Sequence, residues 1–368
     1  MIPISKPLIG KEEKAAVRKV LDSGIIASGP LVKEFERRFA AYQGVKNAVA
    51  AANGTCAIHT ALYSLGIGQG DGVITTPFTF FATASSIVHA GAAPVFVDIE
   101  KEDFNISPEA VEDALKKDKK RKIKAVIVVH LYGQMCDMDA IMKIARRYGV
   151  KVIEDAAQAH GAVYKGKKAG QIGDAGTFSM YATKNMTSAE GGMVLFNKEG
   201  PAKTARVFIN HGMTAAYHHA HMGYNYRTTD IEAAIGLEQL KKLDGFNKKR
   251  RENSAFLTGL LSGCGIIESP KEINGRTHIF HQYTIRVKNG ERDGLLKHLN
   301  SEGIGAKVFY PVPLHKQPVF RKFPGSSAKL PESESAAKEV ISLPVHPGLK
   351  KSEIQKIADA VKKYTGRR

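Results

Sequence analysis

Lys184 stands in YATKNMTSAEGG, residues 181–192, among small and hydroxylated side chains and just before a glycine pair. The run before it, DAGTFSMY, reads as a buried strand, so this amine is expected in the interior, unlike most of the 54 Lys and Arg. A lysine in an apolar pocket has a lowered pKa, and its free amine adds to carbonyls to give a Schiff base. Three other stretches carry groups of related use. VKVIEDAAQAHG reads as a strand ending in Glu154-Asp155. Adjacent strand residues point to opposite faces, so these carboxylates cannot work as one pair. One of them lies at the carboxyl end of a strand, where open α/β sheets place ligands. Read locally, Asp serves equally well as a helix N-cap. In AANGTCAIHTALYSLG a strand stops at Asn53-Gly54-Thr55 and a helix starts at once. The free N–H groups and positive dipole end of such a start suit a phosphate, and the run is also an ordinary capped turn. TTPFTFFATASSIV sets Phe78, Phe80 and Phe81 after a strand end, where a ring either stacks on a planar cofactor or packs in the core.

The elements that must hold these groups alternate between strand and helix. Short β-branched runs recur at residues 47–51, 73–76, 94–99, 125–130, 151–155, 175–180 and 192–196. Amphipathic stretches lie between several of them, as in DMDAIMKIARRYGV, where Met138, Ile141, Ile144 and Ala145 share one helix face. Near-continuous apolar strands predict a mostly parallel seven-stranded sheet with helices on both faces, in the α/β class. Over 160–196 the strands come close together with little helix between them, so the sheet departs from simple βαβ order there. From about residue 230 one long helical period leads to a second α/β region. The expected division is a large domain over 1–249 and a smaller one over 250–368. FPGSSAKLPESE, residues 323–334, reads as a surface loop.

An anion cradle, an aromatic ring, a strand-end carboxylate and a buried lysine thus fall at the ends of different strands. Pyridoxal 5'-phosphate asks for these four: N–H donors for its phosphate, a stacking ring, a carboxylate for its pyridinium nitrogen, and a lysine for its aldehyde. Neither GxGxxG nor GxxxxGK[ST] occurs in the Gly54 turn, which argues against a dinucleotide or a nucleoside triphosphate there.

Bulk properties narrow the class further. The chain has 368 residues, 43% hydrophobic and 24% charged, an ordinary globular balance. Cys56, Cys136 and Cys264 are few and far apart, which suits a reducing cytoplasm rather than a disulfide framework or a zinc site. No run reaches the roughly 18 apolar residues of a membrane span, so no membrane partner is expected. The net charge of +18 is scattered and does not interleave with aromatics, so the expected reading is a solvated basic surface without nucleic acid as partner. The HHAH at 218–221 with His211 lacks a helical i,i+4 frame and an acidic ligand, so no metal is expected.

VIEDAAQAHGAVYKGKKAGQIGDAGTFSMYATKNMTSAEGGMVLF resembles the signature block of the sugar aminotransferases of the DegT/StrS type. These are pyridoxal-phosphate enzymes of the aspartate-aminotransferase fold (type I). The similarity extends from SGPLVKEFERRFAAYQGVKNAVAAANGT, through HGMTAAYHHAHMGYNYRTTDIEAAIGLEQLKKLD, to VFYPVPLHKQPVF and SLPVHPGL. The resemblance implies that Lys184 bonds the aldehyde and later moves the proton. It assigns Asp155 to the pyridine nitrogen, Gln158 to the neighbourhood of the ring hydroxyl, and Phe80 to stacking. Gly54, Thr55, Cys56 and Ser179 fall at the phosphate. Asn225 matches a phosphate contact from the neighbouring subunit, which implies a homodimer with shared sites. Arg227, Tyr310 and His315 fall near a nucleotide-sugar. Relatives with histidine in place of the lysine are sugar dehydratases, so Lys184 implies a transaminase. TSAEGG, with Glu190, is similar to members that aminate a 4-keto sugar. The reaction so implied moves an amino group from L-glutamate to the keto group of a nucleotide-diphosphate sugar. Alternatives are a dehydratase or lyase, a keto-cyclitol aminotransferase, and, in another class, a basic regulatory or nucleic-acid-binding protein without catalysis.

Overall fold

A computed structural model describes residues 1–366 except Pro324. Seven strands form the main sheet: β1 (Asn47–Ala51), β2 (Gly72–Thr75), β3 (Ala93–Phe96), β4 (Ile123–Val129), β5 (Lys151–Asp155), β6 (Ala175–Ser179) and β7 (Gly192–Phe196). Their order is β1-β7-β6-β5-β4-β2-β3. Pairs β2/β3, β2/β4, β4/β5 and β5/β6 are parallel, while β7 runs antiparallel to both β6 and β1. The expected departure near 160–196 is this reversal. Residues 180–191 form no helix of the kind a parallel crossover uses; they fold back as a loop, and that loop carries Lys184.

Helices cover both faces. On one side lie α2 (Pro30–Gln43), α5 (Pro108–Lys117), α6 (Met138–Tyr148) and the first half of α8 (Asp230–Leu261), to which α1 (Lys11–Ser23) is joined by the Gln239–Glu13 hydrogen bond; on the other lie α3 (Gly54–Ser64), α4 (Phe81–His89) and α7 (Glu199–Phe208). Alternation within β4 shows why the strands are apolar throughout. Val126 and Val128 join the first core, while Ala125 and Ile127 join the second. The helices begin where their sequence allows: Asp137 Oδ1 accepts from the Ala140 N–H at 3.2 Å to cap α6, and Gly149 closes that helix in the left-handed region. Met138, Ile141, Ile144 and Ala145 are its buried face, as their spacing requires. Thr229 and Glu232 form a capping box at the start of α8. Asp230 is turned the other way and caps α2, accepting from the N–H groups of Gly29, Leu31 and Val32. This fastens the long helix to the sheet's helical layer.

A second core gathers Leu257 and Leu261 of α8 with an antiparallel sheet of β8 (Ile267–Glu268), β9 (Tyr283–Val287) and β10 (Val340–Leu343). Two more helices complete it, α9 (Arg292–Ser301) and α11 (Lys351–Thr365). Ile2 also belongs to this core, bridging Ile304, so the first residues lie against the C-terminal region while α8 runs through both cores. The loop expected over 323–334 is shorter than that: α10 (Pro331–Glu339) starts inside it, with Pro331 in the first turn, where its missing N–H costs nothing. Among the described residues, no helix is long and apolar enough to cross a membrane.

Candidate active site

The carboxyl ends of β1, β2, β5 and β6 meet at one edge of the sheet, beside a cleft of about 790 Å³. Asn53, Gly54, Thr55, Phe80, Asp155, Gln158, Ser179, Tyr181, Lys184 and Glu190 from the large sheet line it, with His281, Lys307 and Tyr310 opposite and Ile4 and Ser5 at its margin.

At the end of β5 the two carboxylates part, as alternation demands. Glu154 turns into the first core, where His130 lies at 2.9 Å and the N–H groups of Gly170, Ile172 and Gly173 donate to it. It is a fully satisfied structural anchor. Asp155 turns the other way, into the cleft, and no helix follows it, so it is not an N-cap. Thr83 Oγ1 donates to its Oδ2 at 2.8 Å and the Ala157 N–H to its Oδ1 at 3.2 Å. Burial raises its pKa above the ordinary carboxylate value despite those two bonds and despite Lys184 and His130. A carboxyl so placed gains most from a cationic N–H brought to it. Thr83, on the first turn of α4, escapes sequence reading because nothing in its own segment reports a partner 72 residues away.

The start of α3 forms the anion cradle. Asn53 Oδ1 accepts from the Cys56 N–H at 2.9 Å. That leaves the Gly54 and Thr55 N–H groups to the cleft, with no partner among the described residues. Cys56 therefore lies behind the cradle rather than in it; its N–H is spent on the cap, and burial pushes its thiol pKa up. Gly54 is required by a close approach, since a Cβ there would meet Ser179 Cβ at 2.8 Å. That closeness brings the Ser179 hydroxyl beside the free amides.

Lys184 hangs on the turn after β6, half-buried, its N–H bonded to the Tyr181 carbonyl at 2.9 Å. Desolvation lowers its pKa to about 8 against the raising effect of Asp155, so a substantial neutral fraction exists near neutral pH. Phe80 is 57% exposed on the cleft, a large ring without cover. Gln158 is pinned: its Oε1 accepts from the Tyr132 N–H at 2.7 Å and its Nε2 donates to Tyr310 Oη at 3.0 Å. Glu190 stands exposed at the wall, next to Ala189 in the left-handed region.

Three expected residues lie apart from this wall. Arg227 donates to Asn210 Oδ1 at 2.7 Å. His315 is buried against Phe96 and faces Glu334 at 3.2 Å. Asn225 is exposed outside its own chain's cleft, bridging Asn210. His160 is also buried, packed on Phe178, with its pKa lowered to about 3 chiefly by burial. The hairpin holding His218 and His219 is exposed, and among the described residues no group of three His, Cys, Asp or Glu is placed to hold a metal.

The arrangement fits pyridoxal phosphate group by group. Two free amides and a hydroxyl face the phosphate's place, a carboxyl awaits a cationic N–H, a ring lies open, and an amine of lowered pKa lines the same cleft. Comparison with known proteins agrees. A chain from Geobacillus stearothermophilus named pleiotropic regulatory protein is 46% identical, covering 95% of each chain. The dTDP-3-amino-3,6-dideoxy-alpha-D-galactopyranose transaminase of Aneurinibacillus thermoaerophilus is 37% identical over 96% of this chain and 95% of its own. The crystal structure of DesV from S. venezuelae, in complex with a ketimine intermediate, superposes with a TM-score of 0.92 at 36% identity, covering 97% of this chain and 95% of that one. The sequence profile of one family matches residues 7–362, and the chain belongs to it: the DegT/DnrJ/EryC1/StrS aminotransferases.

Proposed function

We propose that this aminotransferase carries an amino group from L-glutamate to a 4-keto nucleotide-diphosphate sugar, as a cytoplasmic homodimer with shared sites. Its cofactor is pyridoxal 5'-phosphate, as in its family. Bound there, the cofactor supplies an aldehyde that takes up and returns the amino group, and a ring that accepts electron density during the exchange. The observation that carries the reading is the meeting of Lys184, Asp155 and the free amides of Gly54 and Thr55 in one cleft, from three separate segments.

Each residue then has a definite task. The Gly54 and Thr55 amides and Ser179 hold the phosphate, and Phe80 covers the ring. Asp155, oriented by Thr83, holds a proton at the ring nitrogen. Lys184, neutral in part near pH 8, takes and delivers the proton at the amino-bearing carbon in both half-reactions. Glu190, at the wall on the lysine's own loop, is the residue we assign to choosing the keto position. The dimer is supported by the exposed face around Asn225, where Tyr217 is 94% and Met222 88% exposed, a surface that a second copy would cover. The two named relatives divide between a transaminase and a regulatory protein. Retention of the whole catalytic set in one cleft favours the enzyme here. The test is to incubate the protein with L-glutamate and a panel of 3-keto and 4-keto nucleotide sugars and to follow 2-oxoglutarate release. Release with a 4-keto sugar supports the proposal; silence across the panel sinks it.

A further inference from the structure

The residue after the lysine leads to a second polar group in the wall. Asn185 is buried, and its Nδ2 donates to Asn247 Oδ1 at 2.8 Å and to the Ile279 carbonyl at 3.4 Å. Asn247 donates from its Nδ2 to the His160 carbonyl at 2.7 Å, so its Oδ1 is the end left to accept. Backbone carbonyls only accept, which fixes both amides in one orientation. Asn185 Oδ1 therefore faces His281 Nδ1, at 3.1 Å, as an acceptor, and Nδ1 must carry the ring proton. The other nitrogen, Nε2, is then a bare lone pair. It bonds to no described residue and is not sealed off, and His281 belongs to the same wall as Lys184. Arg250 of α8 donates to the carbonyls of Phe280 and His281, at 3.2 and 3.1 Å, and so holds the segment from behind. Burial first, then Lys184, Arg250 and His160, keep the imidazole pKa well below its ordinary range, so the ring stays neutral.

A fixed neutral acceptor has little use for an amino donor's carboxylates, which are acceptors themselves. A keto sugar, in contrast, carries hydroxyl donors beside its carbonyl. We propose that His281 Nε2 accepts a hydrogen bond from the hydroxyl on the carbon next to the keto group of the sugar, which makes His281 a specificity-determining residue. This rests on the nucleotide-sugar reading above. The wall then distinguishes the two substrates that alternate in one cleft: the sugar engages His281 and the amino donor does not. A site built to bond a hydroxyl discriminates sharply against an analogue that lacks it, because its own acceptor is left unpaired.

The test uses the two half-reactions separately, read from cofactor absorbance: L-glutamate first, then a keto nucleotide sugar or its analogue with that hydroxyl replaced by hydrogen. His281→Asn keeps a donor where Nδ1 stood and removes Nε2, while His281→Gln returns an amide oxygen to the place of Nε2. Wild type is expected to prefer the hydroxylated sugar by roughly a hundredfold, and His281→Asn to bring that preference within about twofold. His281→Asn should slow the sugar half-reaction at least about tenfold more than the glutamate half-reaction, and His281→Gln should recover part of the preference. Nitrogen-15 NMR of histidine-labelled protein should show His281 neutral and protonated at Nδ1. Undiminished preference in His281→Asn, equal losses in both half-reactions, or a proton on Nε2 overturns the proposal. If wild type aminates no keto nucleotide sugar at all, the substrate reading itself fails and takes this proposal with it.

Discussion

Lys184 and Asp155 are each unfavourable where they stand, and each is relieved by what the cleft is shaped to receive. Desolvation brings the lysine to about 8 from its ordinary 10.5. Burial moves the carboxyl the opposite way, toward its neutral form. Because the lysine pKa is lowered, the free amine gains population as pH rises through about 8 rather than through 10.5. The rate at which the cofactor-free protein forms a borohydride-trappable adduct with pyridoxal phosphate should climb about tenfold per pH unit below that point and level off above it. A rise continuing beyond pH 9.5 would show that the amine is not desolvated. Glu154 makes the contrast within one dipeptide. It is as buried as its neighbour, yet three N–H groups and His130 satisfy it, so it anchors the turn 170–173 and has no part in the chemistry.

At the scale of elements, the site depends on how closely α3 and β6 approach. Gly54 opens the helix with its Cα against Ser179, and a methyl group there would need space that Ser179 Cβ already fills at 2.8 Å. Gly54→Ala should cost about 1–3 kcal/mol of stability through overpacking. It should also weaken cofactor binding by about tenfold or more, because it separates the amides from the Ser179 hydroxyl. Thermal unfolding with and without pyridoxal phosphate measures both. An alanine variant with unchanged stability and unchanged cofactor affinity would mean that the cradle is looser than its geometry. The antiparallel turn between β6 and β7 is the other controlling element. A helical crossover would have carried the chain away from the sheet edge, whereas the short return keeps Lys184 at the carboxyl ends of the parallel strands.

For the whole molecule, the question is whether each cleft is completed by a second chain. Asn225 lies outside its own cleft, exposed and bridging Asn210, which is where a residue serving a neighbour would stand. Lys184→Ala and Asn225→Ala should each reduce activity severely as homodimers. Mixed after dissociation and reassembly, they should recover activity up to about a quarter of the wild-type level, because one site in each mixed dimer regains both residues. If Asn225 serves its own chain, both sites of every mixed dimer stay defective and no recovery occurs. The recovered rate is the measurement, and its absence would remove the shared-site reading.

The sequence by itself determined what depends on local period. The two-residue alternation of strands split Glu154 from Asp155, and the 3.6-residue period placed Met138, Ile141, Ile144 and Ala145 on one buried face. The turn at Asn53-Gly54-Thr55 announced a helix start, and the crowding of strands over 160–196 announced the break in βαβ order. The family was legible as well, since its motifs are contiguous. Only the tertiary structure decided matters that join distant segments. It set Thr83 on Asp155, spent the Cys56 N–H on Asn53, and turned His315 toward Glu334 behind the cleft wall. It also oriented His281 through Asn185, a contact between residues 96 apart in the chain. The physical reason is that period and capping act over a few residues of one backbone. A hydrogen bond between strand ends instead depends on sheet order and on which groups remain unsatisfied once the core has closed.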